Sequence, residues 1–258
     1  MKYLVSIVFC CLLFSLACKK SNVVFEIDTD GLLFVMSNET DTNRILVYSR
    51  LNDGNLLFLE NKASGGKGLG SRLGSQGGVS VSNDGKWLFA VNGGSNTVSS
   101  FSIGQQGITL VSTVSTNGVK PVSVSCHNNV VAVVNAGDNG NLALFNLSQK
   151  GVLSEIKGAV KSLGNSPSVP AQVSFTNDGT MLIITLKQAN KIVAYKIDAA
   201  GILGSFFEIN SNIAVPFGFA IGSNNQIFVS EPGSNAVSVY SIGNSGFNKV
   251  GDPFFPDQ

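Results

Sequence analysis

The chain has 258 residues, enough for one large domain or two small ones, and 29 of them are glycine, about 11% against a usual 7% or so. Charged residues make up 13% and apolar residues 43%, a mixture that excludes disordered, coiled-coil and collagenous chains. Seventeen basic and sixteen acidic residues leave a net charge of +1 with no basic stripe, so nucleic-acid binding has no electrostatic support; one histidine and four cysteines without metal spacing call for no metal or other cofactor.

At the N-terminus, Lys2 precedes an apolar run from Leu4 to Ala17, too short for a comfortable membrane span and suited to a signal-peptide core. Leu16-Ala17-Cys18, followed by Lys19-Lys20, resembles a bacterial lipoprotein signal, which implies cleavage before Cys18 and lipidation of its thiol; ordinary secretion is the alternative. The expected organisation is a signal peptide over 1–17, a lipidated tether over 18–22 and the fold over 23–258. That fold would work in the bacterial cell envelope, at the outer membrane or in the periplasm. Cys10 and Cys11 leave with the signal and Cys18 carries lipid, so Cys126 stands alone, no internal disulfide forms, and stability rests on packing.

One unit then recurs five times. An aromatic residue closes an alternating strand at Tyr48, Phe101, Phe145, Tyr195 and Tyr240, and a glycine follows six residues later at Gly54, Gly107, Gly151, Gly201 and Gly246; both series have intervals of 53, 44, 50 and 45 residues. Upstream of each aromatic lies a strand with a polar end, as in Leu88 to Asn92, Val131 to Asn135 and Ile227 to Ser230. Before these strands stand Asp30-Gly31, Asp84-Gly85 and Asp178-Gly179, or Asn128-Asn129 and Asn224-Asn225, pairs that tolerate the positive φ of tight hairpins. In the second copy the strands are predicted at Gly78 to Ser82, Trp87 to Asn92, Thr97 to Ile103 and Ile108 to Thr113. No segment after the signal has helical periodicity.

Four-stranded antiparallel units of 40 to 50 residues, roughly, predict an all-β β-propeller. Five blades are present, at about 23–64, 77–116, 120–164, 169–212 and 215–258. The strand ends with Val-Asn, the aromatic strands and the Asp-Gly turns resemble the lactonase-like propellers, which include bacterial 6-phosphogluconolactonases and fungal muconate-cyclising enzymes. The resemblance covers the whole chain after the signal and implies seven blades. Against the five present, three readings are open: a truncated member, a five-bladed ring, or a partial ring completed by another chain. Exposed terminal blades would favour self-association.

Loops between the second and third strands of the blades gather at one mouth of a propeller channel. That position is expected at Asn38, Asn92, Asn135, Lys187 and Glu231. These residues either contact a ligand or, for the asparagines, cap their own loops. The resemblance implies a glutamate general base at Glu231; a solvated loop carboxylate is the alternative. It also implies an arginine and a histidine ahead of the same blade, where this chain has Val215-Pro216-Phe217-Gly218, and a histidine ahead of the second blade, where Gln76-Gly77-Gly78 stands. Gln76 can hydrogen-bond but cannot shuttle a proton. His127 falls in a turn on the opposite side; Lys187, with Lys120, is the nearest cation; Gly65 to Gly70 reads as a flexible connection.

The reading favoured by the sequence is a lipid-anchored propeller that binds a small molecule or a protein at its mouth without catalysis. The alternative is a lactone hydrolase using Glu231.

Overall fold

The computed structural model describes residues 29–105 and 107–256; the expected signal peptide and Cys18 lie outside them. Five antiparallel sheets follow one another along the chain. The first holds β1 (Thr29–Met36), β2 (Arg44–Leu51) and β3 (Leu56–Ala63). The second holds β4 (Val79–Val81), β5 (Trp87–Asn92), β6 (Thr97–Gly104) and β7 (Gly107–Ser115), close to the strands predicted there. The third runs β8 (Pro121–His127), β9 (Val130–Asn135) and β10 (Asn141–Leu147), with an outer strand split into β11 (Leu153–Glu155) and β12 (Lys161–Ser162). The fourth is β13 (Pro170–Phe175), β14 (Met181–Leu186), β15 (Lys191–Ile197) and β16 (Leu203–Asn210). The fifth is β17 (Phe219–Ile221), β18 (Gln226–Glu231), β19 (Ala236–Gly243) and β20 (Gly246–Lys249). These are propeller blades, each ordered from an inner to an outer strand. Among the described residues no helix is long and apolar enough to cross a membrane.

The turns form for the reasons the sequence supplies. Gly54, Gly107, Gly151, Gly201 and Gly246 all have positive φ, as do Gly85, Gly179, Asn128, Asn224 and Asn225 in the inner hairpins. At Gly151 two demands coincide: φ is +79°, and a Cβ there would come within 2.1 Å of the Trp87 ring of the preceding blade.

The core is divided into four seams between neighbouring blades. Ile45 and Val47 meet Leu88, Ala90 and Phe101 in the first; Phe89, Val91 and Val98 meet Val131, Val133 and Phe145 in the second. Val130, Ala132 and Val134 meet Leu182, Ile184 and Leu186 in the third; Ile183, Ile192 and Ala194 meet Ile227, Val229 and Tyr240 in the fourth. Alternate residues of β9 thus serve two different seams, which is why Val130 to Val134 is a continuous apolar run, buried on both faces. Cys126 lies in the second seam, where burial first and the Asp84 charge second push its thiol up to about 12, so it packs as a small apolar residue.

The inner strands are joined around the axis. Val124 N–H donates to Gly77 O at 2.8 Å, Val173 N–H to Ser123 Oγ at 3.1 Å, and Phe219 N–H to Gln172 Oε1 at 2.8 Å, with Gln172 Nε2 returning a bond to Phe219 O at 2.9 Å.

Two outcomes follow for stability. Gly151→Ala should cost about 1–2 kcal/mol through its backbone conformation, plus a further loss through Trp87, while Gly54→Ala, with φ +86° and open space around it, should show the backbone cost alone. Urea titrations read the difference, and emission from the sole tryptophan should shift only in Gly151→Ala. Acid sensitivity is set in the turns. The Ser82 hydroxyl holds Asp84, and the Thr176 hydroxyl holds Asp178, below the usual carboxylate range. A carboxyl depressed in the fold stabilises above its unfolded value, and that stabilisation is lost as pH falls through the folded one. An Asp84→Asn, Asp178→Asn double variant should therefore lose less of its urea midpoint than the parent between about pH 5 and pH 2.

Candidate functional site

The five positions expected at the mouth separate into two groups once the register is known. Asn92 pairs with Thr97, Asn135 with Asn141 and Glu231 with Ala236, each at the first residue of a third strand. In the fourth blade the residue in that place is Leu186, paired with Lys191, and in the first blade it is Ser37, whose N–H donates to Arg44 O. Lys187 and Asn38 therefore sit one residue further on. In the fourth copy the strand end is a leucine and Lys187 is the next polar residue, whereas in the first copy both Ser37 and Asn38 are polar and the register selects Ser37.

Asn92, Asn135 and Glu231 are completely buried. The Asn92 Oδ1 accepts from Ser64 Oγ at 2.6 Å and Asn43 Nδ2 at 2.8 Å, and its Nδ2 donates to Thr97 Oγ1 at 3.0 Å and Ser99 Oγ at 2.8 Å. Asn135 accepts from Thr116 Oγ1 at 2.7 Å and donates to Asn141 Oδ1 at 2.6 Å. Glu231 accepts from the hydroxyls of Ser211 and Ser238, from Tyr240 OH at 3.2 Å and from Ile213 N–H at 3.4 Å. In every case one partner is the residue just after the outer strand of the preceding blade: Ser64, Thr116 or Ser211. The three side chains are polar pegs that fasten one blade to the next, an arrangement neither the loop-capping nor the solvated-carboxylate reading anticipated.

This geometry bears on Glu231 as a base. A general base needs a lone pair free to take a proton from water in the site, whereas both oxygens of Glu231 are occupied by donors inside the protein. Burial is also the first cause that pushes the Tyr240 phenol up, with the Glu231 charge adding to it against the Ser211 and Asn212 hydrogen bonds. The phenol is thus held as a neutral donor to the carboxylate.

The groups that do face the mouth come from other places. Lys187 is half-buried, donates through Nζ to Gly74 O and lies 5.1 Å from the centre of the Phe217 ring. Burial lowers its pKa, and the Lys120 charge lowers it further. Gln76 is exposed and stands against Gly218, where a Cβ would meet its Cγ at 2.7 Å. Asn38 does not reach outward: its Oδ1 accepts from Leu69 N–H at 2.8 Å, and its Nδ2 donates to Ser71 O at 2.6 Å.

Those bonds correct the reading of Gly65 to Gly70 as flexible. Gly66 O accepts from Asn43 N–H at 2.9 Å, Gly68 N–H donates to Glu39 O at 2.7 Å, and Gly94 N–H donates to Lys67 O at 2.9 Å. A Cβ on Gly66 would lie 2.5 Å from Asn92, and one on Gly68 only 2.1 Å from the Asn38 backbone, so these glycines permit close packing. Beyond them Ser71 to Gly77 forms a strap along the inner strands of the third and fourth blades. Ser75 Oγ donates to Val122 O of the third blade at 2.8 Å, and Gln76 N–H donates to Ala171 O of the fourth at 2.9 Å. His127 ends β8 at the far end of the sheet, with its ring 5.8 Å from Phe175. It is part-buried in packing, not a free turn residue.

Glu231→Leu should leave the Ser211, Ser238 and Tyr240 hydroxyls without their acceptor and cost about 3 kcal/mol or more, whereas Glu231→Gln, which keeps one acceptor oxygen, should cost about 1–2 kcal/mol. Urea unfolding followed by circular dichroism measures both.

Residues 70–167, from the start of the strap through the third blade, match the family model described as lactonase, 7-bladed beta-propeller. A candidate 6-phosphogluconolactonase from Bacteroides uniformis has a similar structure, with a TM-score of 0.67 and 18% identity, over 83% of this chain and 64% of that one. The periplasmic gluconolactonase of Pseudomonas aeruginosa has a TM-score of 0.63 and 18% identity, over 86% and 68%. A Lactobacillus plantarum protein has a TM-score of 0.65 and 19% identity, over 85% and 67%. The chain thus spans about two thirds of the length of these structures, and slightly less of the first. A comparison with curated proteins finds no match. Taken with the five antiparallel sheets and their pegged seams, these likenesses show a β-propeller fold in which residues 70–167 are similar to the lactonase family.

Proposed function

We propose that the mouth of the propeller receives a lactone and that the chain belongs to the machinery of lactone hydrolysis. The observation that carries this reading is the lactonase family match to residues 70–167, which takes in the strap and the third blade beside the mouth. The names of two structural relatives, one a candidate 6-phosphogluconolactonase and one a gluconolactonase, point the same way. Hydrolysis adds water to the ring ester, places charge on the carbonyl oxygen and opens the ring to a hydroxy acid. An ammonium near that oxygen lowers the barrier, and Lys187, backed by Lys120, is the cation positioned for it.

A second reading, a binding propeller without catalysis, draws on a different observation. Glu231 is enclosed by four donors, and Val215 to Gly218 contains neither arginine nor histidine. For either reading we place the protein in the cell envelope, exported by the run from Leu4 to Ala17 and anchored through Cys18.

The test is hydrolysis of glucono-δ-lactone and aliphatic lactones by the full chain, measured as acid release above the buffer rate. Protein-dependent turnover is expected, and its absence across all substrates would leave the binding reading. Glu231→Gln should keep turnover in proportion to its folded fraction. Loss of turnover in a fully folded Glu231→Gln protein would instead make Glu231 the base.

A further inference from the structure

The strap from Ser71 to Gly77 lies where a ligand at the mouth would have to sit. It is held lightly. Gly74 O accepts from Lys187 Nζ, Ser75 Oγ donates to Val122 O, and Gln76 N–H donates to Ala171 O. Leu73 contributes a partly buried side chain to the second and third seams. Gly70, Gly74 and Gly77 have φ of +65°, +66° and +71°, so the strap is divided by backbone positions that turn easily.

Lys187 has a weak set of partners for a half-buried cation. A neutral carbonyl and the face of Phe217 are its contacts, and the nearest charge that acts on it is Lys120, of like sign. Among the described residues no carboxylate pairs with either lysine. Two neighbouring cations without an acid favour an anion, whose full charge adds a Coulomb attraction to the ammonium that the neutral Gly74 carbonyl lacks.

We propose that Lys187 and Lys120 form an anion site closed by the strap, and that an organic anion enters by replacing the Gly74 carbonyl at Lys187 and releasing Arg72–Gln76 between the anchored ends. The ligand supplies a carboxylate or phosphate oxygen to Lys187, with Lys120 as second cation. Its differential affinity for the open form is what shifts the equilibrium. The inference rests on the reading that the mouth is the ligand site and adds the charge of the ligand and the means of its admission.

Arg72 is exposed within the strap, and trypsin cleavage after it reports release. The full chain would be titrated with gluconate, with inorganic phosphate and with sorbitol, the last having the hydroxyls of gluconate without its charge. Binding would be followed by calorimetry and cleavage at Arg72 by mass spectrometry. At least one anion should bind and accelerate cleavage about tenfold or more, with sorbitol silent; which anion does so distinguishes carboxylate from phosphate. Lys187→Gln should be cleaved rapidly without any anion and lose the response. Lys120→Gln should respond only at higher anion concentration, and it carries the test if Lys187→Gln does not fold. The proposal is overturned if neither anion binds, if an anion binds without faster cleavage, or if sorbitol acts equally. Lactone turnover without anion-driven cleavage would sink this inference alone, and anion-driven cleavage without turnover would sink only the hydrolytic reading.

Discussion

In the second, third and fourth blades both faces of the sheet are covered by neighbours, so a polar side chain pointing into a seam must find its partners within that seam. Leaving a buried polar group unpaired costs a few kcal/mol, roughly, a large share of a domain's stability. The chain meets this constraint with a repeated pair. The residue ending a second strand reaches the residue that leaves the previous blade, as Asn92 does Ser64, Asn135 does Thr116 and Glu231 does Ser211. Within each blade the backbone fixes the residue that makes the tie: Ser64, Thr116, Leu163 and Ser211 each donate N–H to the residue just before the third strand of their own blade. Blade order, sheet orientation and the direction of each linker all follow from these seams.

The chemistry at the mouth depends on what the pegs leave free. Because Asn92, Asn135 and Glu231 are committed to the seams, the site we propose draws instead on Lys187, Lys120 and Gln76, and on the strap beside them. Lys187 belongs to the fourth blade, Lys120 to the third and Gln76 to the linker into the second. Their relative placement is set by bonds between inner strands, such as Val173 N–H to Ser123 Oγ between the third and fourth blades, and by Gln76 N–H to Ala171 O. A cation in such a place acts on a ligand only while its blade is held, so seam stability and site geometry are one property.

Much of the fold was legible because turns and aromatics obey local rules. Positive-φ glycines at a constant offset from an aromatic report hairpins whatever their surroundings, and Val130 to Val134 reads as a strand buried on both sides. The site was less legible. Whether Asn92 faces solvent or a neighbouring blade depends on contacts with Ser64 and Asn43, 28 and 49 residues away, which no local pattern encodes. Glu231 looked like a loop carboxylate because Pro232-Gly233 follows it, yet its three hydroxyl partners come from Ser211, Ser238 and Tyr240. One signal was available in hindsight: a serine or threonine follows the outer strand of the first, second and fourth copies, in step with the polar strand ends.

That signal changes at one junction. Between the third and fourth blades the pair is Leu163 and Leu186, both within one apolar cluster, so the tie that is hydrogen-bonded elsewhere is there a contact between side chains that have no polar atoms. Apolar burial weakens on cooling, because its driving force near room temperature is entropic. Seams fastened by Asn92, Asn135 and Glu231 carry less of that dependence. The junction between the blades of Lys120 and Lys187 thus combines this apolar tie with a polar one between the inner strands, where Val173 N–H donates to Ser123 Oγ.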